Sequence, residues 1–396
     1  MNLSNPVFIP GPTNMPEDIR NAINHPTIDH RNPSFKSQLD KLHGDIANIL
    51  RSVTAQIFIF PATGTGGWEA AIANTLSPGD KVLACSHGVF SNKWIDLCKH
   101  FGLEVEILEC DWRTPANPDL IEAALRRDST GEIKAVLTTH NETATGVRSD
   151  LAAIRGAIDA AGHGALFYVD GVSSIASMQF EMDAWGIDVA VTGSQKGFML
   201  PAGIAIVACS PEAMARTKEA RLPRFFFDFQ QMNATVEQGG YPYTPPMQLL
   251  SGLQRACDLL LAEGLDKVIE RHFFIAEGVR QAVSAWGLEL CASKTTFASD
   301  TVTTVILPEG FNADELTAHA YNRYQMSFGV GLGQFAGRAF RIGHLGYLSE
   351  AQALAGLAVI EMAMLDLKYP IKAGAGVAAA QTWYCGRSAQ IMEEVA

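Results

Sequence analysis

One lysine and one aspartate stand at the ends of apolar segments, where their side chains could do chemistry. Lys196 follows the run DVAVTG (188–193) in a turn rich in small residues, and Asp170 ends the run ALFYVD (165–170). A desolvated lysine has a lowered pKa and can attack a carbonyl carbon, while a buried carboxylate can hold a cation or a protonated ring nitrogen. The pair predicts amine chemistry at one site. An ion-paired lysine and a helix-capping aspartate are the alternatives.

Three further apolar segments end in residues suited to a flat, phosphorylated ligand. The first ends in PATGTGG, where Thr63, Gly64 and Thr65 would let backbone N–H groups meet an anion at a helix N-terminus. This loop does not match GxxxxGK[ST]. It does not match GxGxxG either, because the third glycine of that motif is missing, so the loop does not indicate a dinucleotide. Phe90 follows the second segment and could stack on a ring, and Thr143 lies in the polar cluster THNETATGV after the fourth. A tight turn, a core ring and a capping residue are the ordinary structural explanations.

The apolar segments alternate with segments of helical periodicity, which predicts the elements that position these residues. The strand-like segments cover 55–60, 81–86, 104–110, 134–140, 165–170, 188–194 and 203–210. Several are continuously apolar, as strands buried on both faces are, so the alternation predicts an α/β domain on a mostly parallel sheet. Ligands bind beyond the carboxyl ends of such strands, where Lys196 and Asp170 stand. From 245 to 287 the sequence predicts one long helix, and two strands and further helices then indicate a smaller α+β domain.

Composition argues against several classes of function. The 396 residues carry a formal net charge of -12 without a basic block, which argues against a nucleic-acid partner. The sequence has no signal-peptide pattern and no apolar run of about 18 residues, so we expect no membrane span. The 7 cysteines are scattered and form no CxxC pair, which argues against a disulfide framework and a metal site and favours a cytoplasmic location.

The candidate residues fit one cofactor. An enzyme that uses pyridoxal 5'-phosphate needs a lysine for the Schiff base and a carboxylate for the pyridine nitrogen. It also needs a face for the ring and an anion site for the phosphate. All four occur at strand ends of one predicted domain. Once displaced by a substrate amine, Lys196 could act as the general base at the substrate Cα.

Several stretches resemble the class V aminotransferases, and among them the serine–glyoxylate and alanine–glyoxylate types and their bacterial aspartate–glyoxylate relatives. The matching stretches are IPGPTNMP, TIDHR, PATGTGGWEAA, HNETATGV, VDGVSS, TGSQKG, YPYTPP and GLGQFAGRAFRIGHLG. The resemblance covers nearly the whole chain. It implies the α/β fold of the fold-type I pyridoxal phosphate transferases, with a large domain on a mostly parallel seven-stranded sheet and a smaller C-terminal α+β domain. We expect an N-terminal extended segment at 1–20, the large cofactor-binding domain at 21–262 and the small domain at 263–396.

The resemblance also implies roles for individual residues. Lys196 would form the internal aldimine and act as the general base, and Asp170 would face the pyridinium nitrogen. Phe90 matches the ring-stacking position, which is often Trp in the animal alanine–glyoxylate enzymes. Thr143 matches a residue near the phenolic oxygen of the cofactor. The residues that match phosphate contacts are Thr63, Gly64, Thr65 and Gln195.

Three other matches concern the partner subunit and the substrate. Tyr241 and Thr244, in YPYTPP, match residues that reach the phosphate from the neighbouring subunit, which implies a homodimer with shared active sites. Pairing of dimers into tetramers stays open. Arg341, in AFRIGHLG, matches the arginine that clamps the substrate α-carboxylate, a bidentate task suited to guanidinium. Without the family, an arginine in an apolar strand would still indicate a carboxylate partner, in the substrate or in the protein.

The implied reaction is transamination from a small L-amino acid to glyoxylate, giving glycine and a 2-oxo acid. Serine is the first expected donor, aspartate the second and alanine the third. The alternatives are another acceptor, such as pyruvate, and a cysteine-desulfurase-like lyase, for which Cys291 is the late cysteine.

Other positions carry weaker expectations. The resemblance places IPGPTNMP across the mouth of the active site. His30 or Arg31, in TIDHR, would shape the substrate end. Arg221 and Arg224 could meet a second carboxylate or be surface charges.

Overall fold

The computed structural model describes residues 6–26 and 28–395, with side chains described through residue 386. The first five residues of the predicted segment 1–20, Thr27 of TIDHR and the last residue of the predicted small domain lie outside the described residues. The strands are β1 (Gln56–Phe60), β2 (Lys81–Ser86), β3 (Glu104–Glu109), β4 (Ile133–Thr139), β5 (Asn141–Glu142), β6 (Val147–Arg148), β7 (Leu166–Asp170), β8 (Val189–Gly193), β9 (Ala205–Cys209), β10 (Glu289–Leu290), β11 (Val302–Ile306), β12 (Gly329–Val330) and β13 (Ala339–Gly343). The helices are α1 (Glu17–Ile23), α2 (Phe35–Ile49), α3 (Gly64–Thr75), α4 (Val89–His100), α5 (Pro118–Arg127), α6 (Leu151–Ala161), α7 (Pro211–Arg216), α8 (Phe229–Glu237), α9 (Met247–Glu263), α10 (Leu265–Ala285), α11 (Ala313–Tyr324), α12 (Glu350–Asp366) and α13 (Ala375–Val395).

A seven-stranded sheet with the order β1-β9-β8-β7-β4-β2-β3 carries the candidate residues. Strands β3, β2, β4, β7 and β8 are parallel neighbours, and β9 pairs antiparallel with β8 and β1. These are the seven predicted strands, and the mostly parallel sheet is confirmed. Every residue of β7 and β8 is buried, which explains their continuous apolar sequence. Asp170 ends β7 and Lys196 follows β8, so both emerge at the same edge of the sheet.

The second unit is an antiparallel sheet with the order β10-β11-β13-β12, packed with α10 to α13 around its own core. The long helix predicted for 245–287 is wrong, because the chain breaks between α9 and α10 at Gly264. That residue has φ +88°, a left-handed conformation that favours glycine and ends α9. We propose that the boundary between the domains, expected at 262/263, lies at this break.

The N-terminal segment connects the small domain to the candidate site. Phe8 forms a β-bridge with Phe328, and the two rings stack with centroids 5.6 Å apart. The N–H of Gly343 in β13 donates to the carbonyl of Phe8 at 2.7 Å. Helix α1 already begins at Glu17, after a proline that suits the start of a helix, so the extended segment is shorter than the predicted 1–20.

None of the helices in residues 6–26 and 28–395 has both the length and the apolar character that crossing a bilayer requires. Within the described part of the chain, no three His, Cys, Asp or Glu side chains are grouped so that they could hold a metal ion. All seven cysteines are free, and Cys385 is the exposed one.

Candidate active site

A cavity of about 300 Å³ lies at the carboxyl edge of the large sheet, beneath the N-terminal segment. Its walls include Gly11 and Pro12 of that segment and residues that follow several different strands. The structure therefore brings together most of the side chains that the sequence singled out. The predicted site residues that line the cavity are Thr63, Gly64, Thr65, Phe90, Thr143, Asp170, Gln195 and Lys196.

Lys196 reaches the cavity from the loop after β8. Its Nζ donates a hydrogen bond to the carbonyl of Pro10. Burial, together with the charge of Arg341, lowers the pKa of Lys196 to about 8, while the carboxylate of Asp170 opposes the shift. A larger fraction of this amine is neutral near physiological pH than for an exposed lysine. This is the condition for attack on a carbonyl carbon.

Asp170 faces the same cavity and is almost fully buried. Its Oδ1 accepts a hydrogen bond from the N–H of Val172 at 2.9 Å. Burial raises the pKa of Asp170 to about 7 and the charge of Glu142 adds to this, whereas the Val172 N–H and Lys196 oppose it. A buried carboxyl group with one backbone donor is suited to receive a cation or a protonated nitrogen.

The start of α3 forms the end of the cavity that is suited to an anion. Thr63 is the N-cap residue, and its side chain makes no capping hydrogen bond. A Cβ at Gly64 would lie 2.5 Å from Cγ2 of Val172, so glycine is required here. The Oε1 atom of Gln195 is buried without a hydrogen-bond partner among the described residues. Backbone N–H groups at a helix N-terminus, hydroxyl groups and amide NH2 groups are the donors that bind a phosphate.

Phe90 lies in the first turn of α4, and Glu142 holds that turn in place. The backbone N–H of Phe90 donates to Oε2 of Glu142 at 2.9 Å. Burial raises the pKa of Glu142, and the N–H groups of Ser91, Ala144 and Phe90 and the charge of Arg341 oppose the shift. The sequence placed Glu142 in a polar cluster but gave it no role.

Arg341 lies in β13 and does not itself line the cavity, although it contacts the lining residue Thr143. Its Nε donates to the carbonyl of Val330 at 2.8 Å and its Nη1 to the carbonyl of Thr143 at 2.9 Å. Burial lowers the pKa of Arg341 to about 10, and the charge of Glu142 opposes this. Its Nη2 makes no hydrogen bond to the residues that the structure describes. The guanidinium is thus fixed by two carbonyls with one nitrogen free for a carboxylate.

Other predicted residues are not at this cavity. Tyr241 is buried and donates to the carbonyl of Ile59 at 3.2 Å, whereas Thr244 is exposed. His30 and Arg31 lie in the loop between α1 and α2 and do not line the cavity.

The structure also decides among the remaining candidates. Arg224 donates to four backbone carbonyls and pairs with Asp228, so its charge is already used. Arg221 lines a different cavity, which includes Lys134 at the amino edge of the sheet. Neither is placed to meet a substrate carboxylate in the same chain. Cys291 is buried and burial raises its pKa to about 12, which does not suit a mobile nucleophilic thiol.

Sequence reasoning missed several residues that line the cavity. Trp68 lies four residues after Gly64, on the same face of α3, so helical spacing could have indicated it. Of the four others, Asn141 lies in the polar cluster after the fourth segment and Val172 and Ser173 closely follow Asp170, but sequence reasoning assigned none of them a role, and Ala202 carries no local signal.

Comparisons with known proteins agree with this geometry. The family model described as "Aminotransferase class-V" matches residues 17–324. The chain is 55% identical over 396 residues to the L-aspartate–glyoxylate aminotransferase of Paracoccus denitrificans, covering 100% of both chains. It is 47% identical to the serine–glyoxylate aminotransferase of Hyphomicrobium methylovorum over 97% of this chain and 95% of that one. Among solved structures, it is similar to the ureidoglycine-glyoxylate aminotransferase of Bacillus subtilis, with TM-score 0.89, 25% identity and coverage of 97% and 100%.

Proposed function

The chain belongs to the class-V aminotransferases, and from this premise we propose that it transfers the amino group of a small L-amino acid to glyoxylate. The products are glycine and the 2-oxo acid of the donor. Its fold is the fold-type I architecture that the sequence predicts. The observation that carries the proposal is that Lys196 and Asp170 meet at one cavity beside the free N-terminus of α3. The acceptor is inferred from the two relatives, both of which are glyoxylate aminotransferases.

We propose pyridoxal 5'-phosphate as the cofactor, because the residues present fit its parts. The side-chain NH2 of Gln195, which lines the cavity, and the uncapped N-terminus at Thr63 could donate hydrogen bonds to the phosphate. The glycine required at Gly64 keeps the backbone accessible. Asp170 supplies a buried negative charge for the ring nitrogen, and Phe90 supplies an aromatic face. Thr143 would lie near the phenolic oxygen.

When bound, this cofactor supplies an electron sink for the substrate Cα–H bond. Lys196 would attach to it covalently in the resting enzyme. With its amine free, Lys196 would be placed to take the proton from the substrate Cα at Nζ and to return a proton in the second half of the reaction. The lowered pKa of Lys196 suits this task, because the neutral amine is the base. Arg341 would hold the substrate carboxylate through its free Nη2.

The donor is proposed as aspartate or serine. Full-length identity of 55% to an aspartate enzyme and 47% over nearly the full length to a serine enzyme puts aspartate first, serine second and alanine third. Arg221 lines a different cavity, and Arg224 is already paired with Asp228. The second carboxylate of aspartate would therefore need a partner other than these two arginines.

The test is a panel of donors and acceptors with the cofactor-loaded protein. Glyoxylate is expected to be the best acceptor with aspartate or serine as donor, with glycine formed in equal amount to the 2-oxo acid. A strong preference for pyruvate or 2-oxoglutarate would overturn the acceptor. A protein that takes up no pyridoxal 5'-phosphate would overturn the whole proposal.

We also propose that the protein is a homodimer with shared sites in the cytoplasm. Thr244 is exposed, and the neighbouring Tyr243 stacks on Phe226 with ring centroids 4.1 Å apart. Phe225, next to that ring, is 85% exposed, as expected of a surface that a second chain covers. The free cysteines suit a reducing compartment. Co-expression of Lys196→Ala and Thr244→Ala subunits tests the sharing of sites. Mixed dimers should regain activity that neither homodimer has.

A further inference from the structure

Glu142 is a buried carboxylate behind the cavity, and the proposed reaction gives it no task. It is 0% exposed. Its Oε2 accepts hydrogen bonds from the N–H groups of Phe90 at 2.9 Å and Ser91 at 3.0 Å, and its Oε1 accepts from the N–H of Ala144 at 3.1 Å. Burying a charge costs free energy, so a buried carboxylate needs hydrogen bonds or an opposite charge that compensate this cost.

The contacts of Glu142 fix the first turn of α4 from a distant part of the chain. The N-cap residue of α4 is Gly88, which has no side chain to cap the helix. Glu142 supplies both the missing acceptor and a negative charge at the positive end of the helix dipole. A Cβ at Gly88 would collide with the side chain of Glu142, so the glycine is what allows the carboxylate to approach. Phe90, whose ring lines the cavity, is thus held through its own N–H.

An ionised carboxylate suits this arrangement. All three partners are N–H donors, and they use both oxygens. An amide would place its NH2 group against one of these N–H donors. Arg341 is the cation whose charge acts on Glu142, and Asp170 is the neighbouring anion. The charges of Arg341 and Asp170 both act on Lys196. The charge of Glu142 acts on Arg341 and Asp170 in turn, so it contributes to the electrostatic potential in the whole cavity.

We propose that Glu142 is a positioning residue of the active site, which sets the place of the Phe90 ring and provides the counter-charge for Arg341. The inference rests on the proposed function, because both residues matter through the cofactor and the substrate. Glu142 does not line the cavity itself. Its effect reaches the cavity through Phe90 and through charge.

Glu361 offers a matched control for a purely structural cap. It is also buried, and it accepts hydrogen bonds from the indole Nε1 of Trp286 at 2.7 Å and from the N–H of Gly376 at 2.9 Å in the first turn of α13. It lies in the small domain and does not line the cavity. Glu361→Gln should therefore lower stability as a lost cap does, without an effect on the site.

The experiment compares Glu142→Gln and Glu361→Gln with the unaltered protein. The readouts are the melting temperature, the Kd for pyridoxal 5'-phosphate from fluorescence quenching, and the pH midpoint of the visible band of the loaded protein. Glu142→Gln should raise the Kd about tenfold, as loss of charge-assisted hydrogen bonds does. It should also lower the midpoint by about one pH unit, because a nearby negative charge favours the protonated form. Glu361→Gln should move the melting temperature alone.

Two results would overturn the inference: an unchanged Kd and midpoint in Glu142→Gln, or the same shifts in Glu361→Gln. If Glu142→Gln does not fold, Glu142→Asp replaces it, since it keeps the charge and withdraws it by one methylene group. Glu142→Asp should keep the midpoint and raise the Kd, and an unchanged Kd would again overturn the inference. Failure of the proposed function is seen separately, as an unaltered protein that binds no cofactor or does not use glyoxylate.

Discussion

Asp170 and Lys196 face one cavity from the ends of neighbouring parallel strands, and burial moves their pKa values toward each other. The pKa of Asp170 rises to about 7 and that of Lys196 falls to about 8. Both groups therefore change protonation close to neutral pH, unlike an exposed aspartate or lysine. Ionisable groups with strongly shifted pKa values cluster at functional sites, where they transfer protons.

Lys196→Ala should abolish the visible band of the cofactor-loaded protein and reduce transamination by at least about a thousandfold, since attachment and proton transfer both use Nζ. Absorbance spectra and a glycine-formation assay measure this. Lys134→Ala is the control, because Lys134 lies at the other edge of the sheet and its Nζ donates to the carbonyl of Gly131 at 2.8 Å. A Lys196→Ala protein that keeps its band would show that the cofactor is attached elsewhere.

Asp170→Asn should make the cofactor-free protein more stable at pH 8 while weakening cofactor binding. The folded pKa of about 7 lies above the ordinary value of 3.8, so ionisation of Asp170 opposes folding. This cost is absent at low pH, develops as the pH rises and is complete above the folded pKa. The variant should therefore gain stability relative to the unaltered protein between pH 5 and pH 8, on the order of 3 kcal/mol. The attraction to Lys196 is already contained in the folded pKa of Asp170.

Chemical denaturation at pH 5 and pH 8 measures this difference. The comparison at pH 5 is the internal control, because most of the cost is not yet present there. An equal or lower stability of Asp170→Asn at pH 8 would contradict the burial argument. The weaker cofactor binding is measured independently, as the Kd for pyridoxal 5'-phosphate.

The sequence predicts the strands and the two central residues for a clear physical reason. Strands buried on both faces must be continuously apolar, so they stand out from the helices, and a charged residue at the end of one is conspicuous. The edge of the sheet where Lys196 and Asp170 meet then follows from the parallel topology. Residues on a helix, such as Trp68, follow from spacing once the start of α3 is known.

Other features depend on contacts that local sequence does not encode. The break at Gly264 interrupts a continuous helical pattern, because a single glycine adopts a left-handed conformation there. Glu142 bonds the N–H of Phe90 across 52 positions of the chain, so neither residue indicates the other. The extended N-terminal segment ends early, since the turn into α1 depends on the packing of that helix against α9.

Arg341→Lys should raise the KM for glyoxylate and for the amino donor by about tenfold or more, with a smaller effect on kcat. An ammonium group cannot serve the carbonyls of Val330 and Thr143 and also offer a fixed nitrogen to a substrate carboxylate. Steady-state kinetics with both substrates measures the change. Arg338→Lys, at an exposed position in the turn just before β13, is the control and should behave as the unaltered protein. Equal KM values for Arg341→Lys would place the carboxylate clamp elsewhere.

Gly11→Ala tests whether the N-terminal segment is part of the active site. Gly11 has φ +114°, which an alanine adopts only with strain, and an added Cβ would lie 2.6 Å from Cδ and 2.7 Å from Nζ of Lys196. The segment must then move away from the lysine, so kcat should fall about tenfold, as small displacements of reacting groups do. The Nζ–carbonyl contact with Pro10 would be lost at the same time.

Gly44→Ala is the matched control for this substitution. Gly44 lies inside α2, and an added Cβ would meet nothing within 4 Å. Alanine there should leave kcat unchanged and stabilise the fold by up to about 1 kcal/mol, the usual difference in helix propensity. The melting temperature of the two variants reports strain in the chain, and kcat reports an effect on Lys196. If Gly11→Ala lowered the melting temperature and left kcat untouched, the segment would be a structural connection to the small domain and not a wall of the active site.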